Sequence, residues 1–190
     1  PYLSPSSLNI NKIKKYIKSI KDYNYIIAIG HGSKLEEKKW PLINFCNVLN
    51  EIMNIDEHSA FIIFGSKDDY ESASFIRNNT NKKRVISLTG KTNLIESASA
   101  MEFCKLFIGV DSGTMHLASA MNLRCIALFS DMTNPGRWEP FGLNNYIIRS
   151  HNRYNQYATK SDSESIHLSM RSIKEDQIIQ AYKEIRLDKN

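Results

Sequence analysis

Apolar and polar residues follow each other along this chain in an order that predicts strands and helices in turn. Short apolar runs predict strands at 25–29, 60–64, 84–88, 106–110, 125–129 and 146–149. Between these runs, apolar residues recur at every third or fourth position, which is typical of one face of a helix. Strict alternation of the two elements is the pattern of a parallel sheet with helices on both faces. The predicted fold class is therefore α/β, with a Rossmann-like sheet.

Local signals predict where several helices begin. Pro41 is well placed as the first residue of the helix after the first strand. Asn93 and Glu96 resemble a capping box, which predicts a helix from there through Cys104. The polar segment 150–164 has few apolar residues, and we expect a mobile surface loop there.

The first residues predict a linker and then an amphipathic helix. Residues 1–8 are rich in proline and serine, so we assign them to an interdomain linker and residues 9–190 to one domain. In the following helix isoleucines share one face, and the other face carries Lys12, Lys14, Lys15, Lys18 and Lys21. Such a face is compatible with water or with anionic lipid, and peripheral membrane association stays open. No apolar run is long enough to span a bilayer and no signal peptide is recognisable, so we expect a cytoplasmic protein, at the inner face of the membrane if it associates with lipid.

Composition narrows the chemistry only a little. The 190 residues are enough for one substantial core, and the net charge of +5 mildly favours anionic ligands. The cysteines at 46, 104 and 125 lie within apolar patterns and lack metal-ligand spacing, which favours buried free thiols. We expect no metal, no cofactor and no nucleic-acid partner.

The most informative stretch is KLFIGVDSGTM at 105–115. An apolar strand ends at Asp111, and Ser112-Gly113-Thr114 opens a helix directly after it. Free backbone N–H groups and the positive end of the helix dipole suit an anion, and Gly113 allows close approach to the backbone. The pattern is equally compatible with Asp111 or Ser112 merely capping the helix.

The loops after the first four strands should meet at one edge of such a sheet, where ligands of open α/β folds bind. Their candidate ligand-binding residues are Gly32, Ser33, Lys38, Gly65, Asp69, Thr89, Gly90, Asp111, Ser112, Gly113 and Thr114. Lys38 offers a charge for phosphate, and an acid can bind ribose hydroxyls. This set favours a nucleoside diphosphate. His116, in the first turn of its helix, would contact phosphate or would simply pack or cap there; the two readings stay open.

Two other chemistries fit the sequence poorly. Gly30-His31-Gly32 begins a dinucleotide fingerprint, but Leu35 takes the place of its third glycine and a long loop replaces the required tight turn. The nucleophile motif G-x-S-x-G is absent, which argues against covalent hydrolase chemistry.

Several segments together resemble glycosyltransferase family nine, the ADP-heptose lipopolysaccharide heptosyltransferases. They are KKWP at 38–41, FGSKDD at 64–69, LTGKTNL at 88–94, DSGTMHLASAMN at 111–122 and NPGRWEPFG at 134–142. The resemblance implies an inverting transferase of GT-B architecture, of which this chain is the C-terminal, donor-binding half. Its partners would be a nucleotide-sugar, ADP-heptose first, a lipopolysaccharide core or other glycan acceptor, and the N-terminal acceptor domain of the same enzyme.

The resemblance also implies roles for individual residues. Lys38 would contact phosphate or sugar, Asp69 the ribose, and Asp111 the transferred sugar. Thr89, Gly90 and Leu94 would surround the base, and the amides of 112–114 would bind the pyrophosphate. The catalytic base would come from the N-terminal domain, so no catalytic residue is assigned in this chain. A non-catalytic nucleotide-sugar-binding module and a nucleotide-sugar epimerase are the alternatives.

Overall fold

One parallel sheet organises the part of the chain that the computed structural model describes, residues 7–142, 144–150 and 169–188. Its strands are β1 (Tyr25–Gly30), β2 (Ser59–Phe64), β3 (Val85–Ser87), β4 (Cys104–Val110), β5 (Arg124–Phe129) and β6 (Tyr146–Arg149). Their spatial order is β3-β2-β1-β4-β5-β6, and neighbouring strands are parallel. This is the strand order of Rossmann sheets, and it confirms the predicted α/β class. After β3 the chain crosses to the other side of β1 and continues with β4, so the switch point of the sheet lies between the neighbouring strands β1 and β4.

Helices cover both faces of the sheet. They are α1 (Ser7–Tyr16), α2 (Leu42–Ile55), α3 (Tyr70–Asn78), α4 (Leu94–Met101), α5 (Gly113–Ala120) and α6 (Glu175–Leu187). Successive strand residues point to opposite faces, so β1 sends Ile27 and Ile29 into one core and Ile26 and Ala28 into the other. The first core is closed by α2, α3 and α6, and the second by α1, α4 and α5.

Two helix boundaries differ from the sequence predictions. The predicted capping box is present, with the Glu96 amide donating to Asn93 Oδ1 at 2.9 Å and the Asn93 amide donating to Glu96 Oε2 at 3.0 Å. The helix nevertheless ends at Met101, and Cys104 begins β4, where it lies opposite Ile26. Pro41 is the N-cap of α2, with ψ at 132°, and the helix itself begins at Leu42.

The N-terminal helix is held by its isoleucines and by one ion pair. It begins at Ser7, inside the predicted linker 1–8; residues 1–6 lie outside the described residues. Ile13 of α1 is buried, and so are Ile17, the N-cap of the short 3-10 turn that follows Tyr16, and Ile20 within that turn. Lys12 Nζ lies 2.6 Å from Glu96 Oε1 on α4. The remaining lysines of the face are exposed. Within the described chain no helix is both long and apolar enough to cross a membrane.

The three cysteines are buried and free, as predicted. Burial raises the pKa of each thiol, that of Cys125 to about 12, so these side chains behave as small apolar groups. The predicted mobile loop at 150–164 lies, after Ser150, outside the described residues.

Candidate functional site

A cavity of about 1070 Å³ opens at the carboxyl ends of the strands. Because the strands are parallel, the loops after β1, β2 and β4 and the start of α4 all reach this edge. The loop after β5 adds one aromatic side chain, Trp138. The predicted residues that line the cavity are Gly32, Ser33, Lys38, Gly65, Asp69, Leu94, Asp111, Ser112, Gly113, Thr114 and His116.

Thr89 and Gly90 are the predicted residues that do not line the cavity. The Thr89 side chain is 1% exposed, and its methyl group lies 3.2 Å from the point where a Cβ on Gly65 would stand. Gly90 has φ of +70° and packs against Lys67. Both residues therefore support the loop after β2 from behind. The wall near them is built instead by Thr92, Asn93, Leu94 and Ser97.

A partly buried ion pair lines the cavity. Lys38 comes from a single helical turn, Glu36–Lys38, in the loop after β1, and its Nζ lies 2.5 Å from Asp111 Oδ2 at the end of β4. Asp111 is only 5% exposed, and the Thr133 hydroxyl donates to the same oxygen at 3.5 Å. β1 and β4 are neighbours in the sheet, which brings these two loops together. The pair fixes the ammonium group beside the first residues of α5.

The start of α5 is open to a ligand. Ser112 is the N-cap residue in extended conformation, but its side chain makes no capping hydrogen bond. Its Oγ is buried and has no hydrogen-bond partner among the described residues, which is unusual for a buried hydroxyl. A Cβ on Gly113 would meet nothing within 4 Å. Asp111 is paired with Lys38, and the Ser112 side chain does not cap the helix. The first amides of α5 are therefore available to bind an anion.

The Asp69 carboxylate lies between two glycines. A Cβ on Gly32 would overlap Asp69 Oδ1, and a Cβ on Gly65 would stand 3.0 Å from Asp69 Oδ2, so a larger residue at either position would push against the carboxylate. Oδ2 accepts hydrogen bonds from Ser66, from the amide at 2.8 Å and from the hydroxyl at 2.7 Å. Asp69 thus caps the turn after β2 in addition to facing the cavity, a role that sequence reasoning missed.

His31 stabilises the same turn from inside. Its Nε2 lies 2.8 Å from Ser72 Oγ, and that hydroxyl donates to the Asp69 carbonyl at 2.9 Å. The serine hydrogen is therefore used, so the histidine donates through Nε2. The ring is 2% exposed, and burial lowers its pKa below the ordinary value. A neutral imidazole at this point orders the segment that carries Asp69.

The exposed rings of His116 and Trp138 meet at one wall of the cavity. Their centroids lie 6.2 Å apart in an edge-to-face arrangement. His116 is exposed, so it is not a packed core histidine. Trp138 was not singled out from the sequence, although it stands within NPGRWEPFG; a large aromatic in a proline- and glycine-rich loop after a strand was the available signal.

Comparison with known proteins decides the family. The family model of glycosyltransferase family 9 (heptosyltransferase) matches residues 6–167. The chain belongs to glycosyltransferase family 9. Lipopolysaccharide heptosyltransferase 2 of Escherichia coli is 26% identical over 146 residues, which is 75% of this chain and 41% of that protein. Lipooligosaccharide heptosyltransferase 2 of Haemophilus ducreyi is 30% identical over 149 residues, 75% of this chain and 42% of that protein.

Solved structures share the fold of this family 9 chain. A glycosyl transferase family 9 protein from Veillonella parvula superposes with a TM-score of 0.84 at 24% identity, covering 98% of this chain and 54% of that one. The chain thus spans about two fifths of the length of the curated relatives and about half of the related structure. Among the described residues, no group of three His, Cys, Asp or Glu side chains is placed to hold a metal ion.

Proposed function

We propose that this chain is the donor-binding half of an inverting glycosyltransferase that moves heptose or a related sugar from an ADP-sugar to lipopolysaccharide core or another glycan. The observation that carries the proposal is the Lys38–Asp111 pair at 2.5 Å beside the uncapped start of α5. A cation, free helix amides and an unpartnered Ser112 hydroxyl together suit a diphosphate. Family membership supports the same reading, because the relatives above carry the name heptosyltransferase.

The sheet order suggests how the donor lies in the cavity. Asp69 follows β2 and Leu94 begins the helix after β3, so ribose and base would lie at this end, with Thr89 and Gly90 behind them. The diphosphate would lie at 112–114 and Lys38, next to β4. Asp111 would bind a sugar hydroxyl, and His116 would reach a phosphate oxygen. One Escherichia coli heptosyltransferase structure carries ADP and another ADP-2-deoxy-2-fluoro heptose, which supports this choice of donor.

The chain's own residues account for departure of the leaving group. As the bond between the anomeric carbon and the diphosphate breaks, negative charge grows on the diphosphate, and Lys38 and the helix amides stabilise it. Inverting transfer also needs a base that takes the proton of the attacking hydroxyl. We assign that base to an N-terminal acceptor domain of the same enzyme, joined by a linker ahead of α1, which begins at Ser7. We place the enzyme in the cytoplasm, with the acceptor at the inner face of the membrane.

Nucleotide binding is the first test. We expect ADP to raise the melting temperature of the chain, since a ligand at one hundred times its Kd adds about 2.7 kcal/mol of stability. UDP and GDP are the comparison ligands, and ADP should shift the transition most. No shift with any of the three at millimolar concentration would overturn the donor site.

Asp69 needs two variants because it has two roles. Asp69→Asn keeps an acceptor for Ser66 but removes the charge, and we expect ADP binding to weaken by about 1.5–3 kcal/mol with little change in stability. Asp69→Ala should lose the capping bonds as well and unfold at lower urea concentration. Exposed Glu71→Ala on the neighbouring helix is the control. Unchanged ADP affinity in Asp69→Asn would reduce Asp69 to a capping residue.

Transfer itself distinguishes a half-enzyme from a non-catalytic module. We expect no transfer from ADP-heptose to a heptose-deficient lipopolysaccharide by the chain alone, and turnover by the full-length protein. Turnover by the isolated chain at a comparable rate would move the base into it, with Asp68, Asp111 and His116 as candidates. A full-length protein that binds the donor and transfers nothing would be a binding module.

A further inference from the structure

Trp138 is both exposed and in an unfavourable backbone conformation. Its side chain is 57% exposed, whereas Trp40, the other tryptophan of the chain, is 1% exposed in the core. Trp138 also has φ of +66°, in the left-handed region that bulky L-residues rarely adopt. Neither burial nor local preference explains this position, so the surrounding structure must hold the ring there.

Arg149 on β6 braces the loop that carries Trp138. Its Nη1 donates to the Thr133 carbonyl at 2.7 Å and its Nη2 to Glu139 Oε1 at 2.6 Å. Glu139 Oε1 also accepts from the Gly136 amide at 3.0 Å, and the guanidinium group lies 5.0 Å from the centre of the Phe129 ring. The loop is thereby tied on both sides of Trp138, and the indole is presented to the cavity by a rigid segment.

The sheet order places Trp138 at the far end of the cavity from the expected base site. Neighbouring strands lie about 4.8 Å apart, so the loops after β3 and β5, four strand intervals apart, are separated by about 19 Å. The start of α5, after β4, lies between them. If ribose and base occupy the loops after β2 and β3 and the diphosphate occupies α5, the part of the donor that remains is the transferred sugar. The contact of Trp138 with His116, in the first turn of α5, agrees with this order.

We propose that Trp138 is a specificity-determining residue whose indole face forms the wall against which the transferred sugar of the donor packs. This inference rests on the proposed donor site. The guanidinium group of Arg137 lies over the indole ring, 5.8 Å from its centre, and the indole also lines the cavity. The C–H face of a sugar ring packs on an aromatic plane, while its hydroxyls bind charged groups such as Asp111.

The natural fluorescence of the chain provides a direct test. Trp40 is buried and its indole N–H donates to the Ile173 carbonyl at 3.1 Å, so its emission is a constant background. Titration with ADP-heptose should quench or shift the emission of Trp138 more strongly than titration with ADP. An equal change with both ligands would place the indole against the nucleotide and overturn the proposal.

Variants at position 138 give the second readout. Trp138→Gly removes the ring and adopts a φ of +66° without strain, and we expect the Kd for ADP-heptose to rise about tenfold while that for ADP changes less than about twofold. Trp138→Phe should retain most of the affinity. Phe141→Ala is the matched control, since this ring is in the same loop, 70% exposed and outside the cavity lining.

The possible results separate the two proposals. Wild-type affinity for ADP-heptose in Trp138→Gly, or equal losses for both ligands, would overturn the role of Trp138 and leave the donor site standing. Failure of the wild-type chain to bind ADP would overturn the donor site and this inference with it.

Discussion

Buried polar side chains at the carboxyl ends of the strands differ in their hydrogen bonding from those at the amino ends. Among the described residues, the buried side-chain atoms without a hydrogen-bond partner are His31 Nδ1, Thr89 Oγ1, Ser112 Oγ and Asp131 Oδ2. Each follows the carboxyl end of a strand, β1, β3, β4 or β5, within two residues. The amino end has no such atom in the described part of the chain. An unpaired buried polar group costs stability, so this difference separates the two ends, and among the four residues Ser112 lines the donor cavity.

At the amino ends of the strands, buried polar groups form a hydrogen-bonded network. Arg84 donates to the carbonyls of Met53 at 2.9 Å, Asp56 at 2.5 Å and Ser59 at 2.8 Å. The Asp56 carboxylate accepts from the Tyr182 hydroxyl at 2.6 Å and lies 2.9 Å from Arg186. Burial raises the pKa of Asp56, but these bonds and that from the His58 amide outweigh it, so the pKa lies below its ordinary value. This network contributes to stability and faces no cavity of the donor site.

The largest expected effect comes from breaking the amino-end network. Asp56→Ala leaves the buried Tyr182 hydroxyl and Arg186 without their acceptor, and should lower the free energy of unfolding by about 2–4 kcal/mol. Urea denaturation measures this, and ADP affinity should stay the same. Glu57→Ala is the control because its side chain is 88% exposed. A loss no larger than that of the control would remove the contrast between the ends.

Two serines whose hydroxyl oxygens are buried allow the sharpest comparison of the ends. Ser59 Oγ donates to the Asp56 carbonyl at 2.9 Å and accepts from Arg84 at 2.7 Å, so Ser59→Ala should destabilise the chain by about 1–2 kcal/mol. Ser112→Ala removes an unpartnered hydroxyl, and should leave stability unchanged or raise it by up to about 1 kcal/mol. ADP binding should weaken only in Ser112→Ala. Equal destabilisation by the two changes would mean that the Ser112 hydroxyl already serves the fold.

The smallest expected effect is a pH dependence at His31. Burial lowers its folded pKa below the ordinary 6.5, so as the pH falls through 6.5 the unfolded chain binds a proton that the folded chain refuses. Stability should therefore fall with pH until the folded pKa is reached. When the pH falls from about 7.5 to 5.5, the free energy of unfolding of His31→Gln should decrease by up to about 1.4 kcal/mol less than that of the wild type. His58→Gln, whose ring is 62% exposed, should keep the wild-type slope; a His31→Gln slope like it would contradict a buried neutral imidazole.

Much of the fold could be predicted because it depends on neighbours in sequence. The apolar runs of β1, β2 and β4 are buried along most of their length, and this burial follows directly from two covered sheet faces. The capping box of Asn93 and Glu96 needs only residues three apart. The end of α4 could not be predicted, because the pairing of Cys104 with β1 competes with continuing the helix.

The sequence predicted which loops form the site but not the hydrogen bonds and packing contacts of their side chains. The sequence predicted that glycines, Lys38 and Asp111 line the cavity, because they lie in the loops after strands. The cap by Asp69 joins residues only three apart, and the Ser66-x-x-Asp69 spacing was the signal that could have found it. The position of Thr89 behind the wall and the braced Trp138 depend on contacts between segments that are apart in the sequence. Side chains in loops have several accessible directions, and the partner that selects one of them is not encoded nearby.

By itself, the sequence determined that strands and helices alternate, that the strands are buried on both faces, and that an acid and a glycine meet a helix start at 111–113, because periodicity and local backbone chemistry decide these features. The tertiary structure alone decided that β1 lies beside β4. That neighbourhood brings Lys38, 73 positions away in the chain, to 2.5 Å from Asp111. Strand order is set by the packing of distant segments against both faces of the sheet, and so is the ion pair that lines the site.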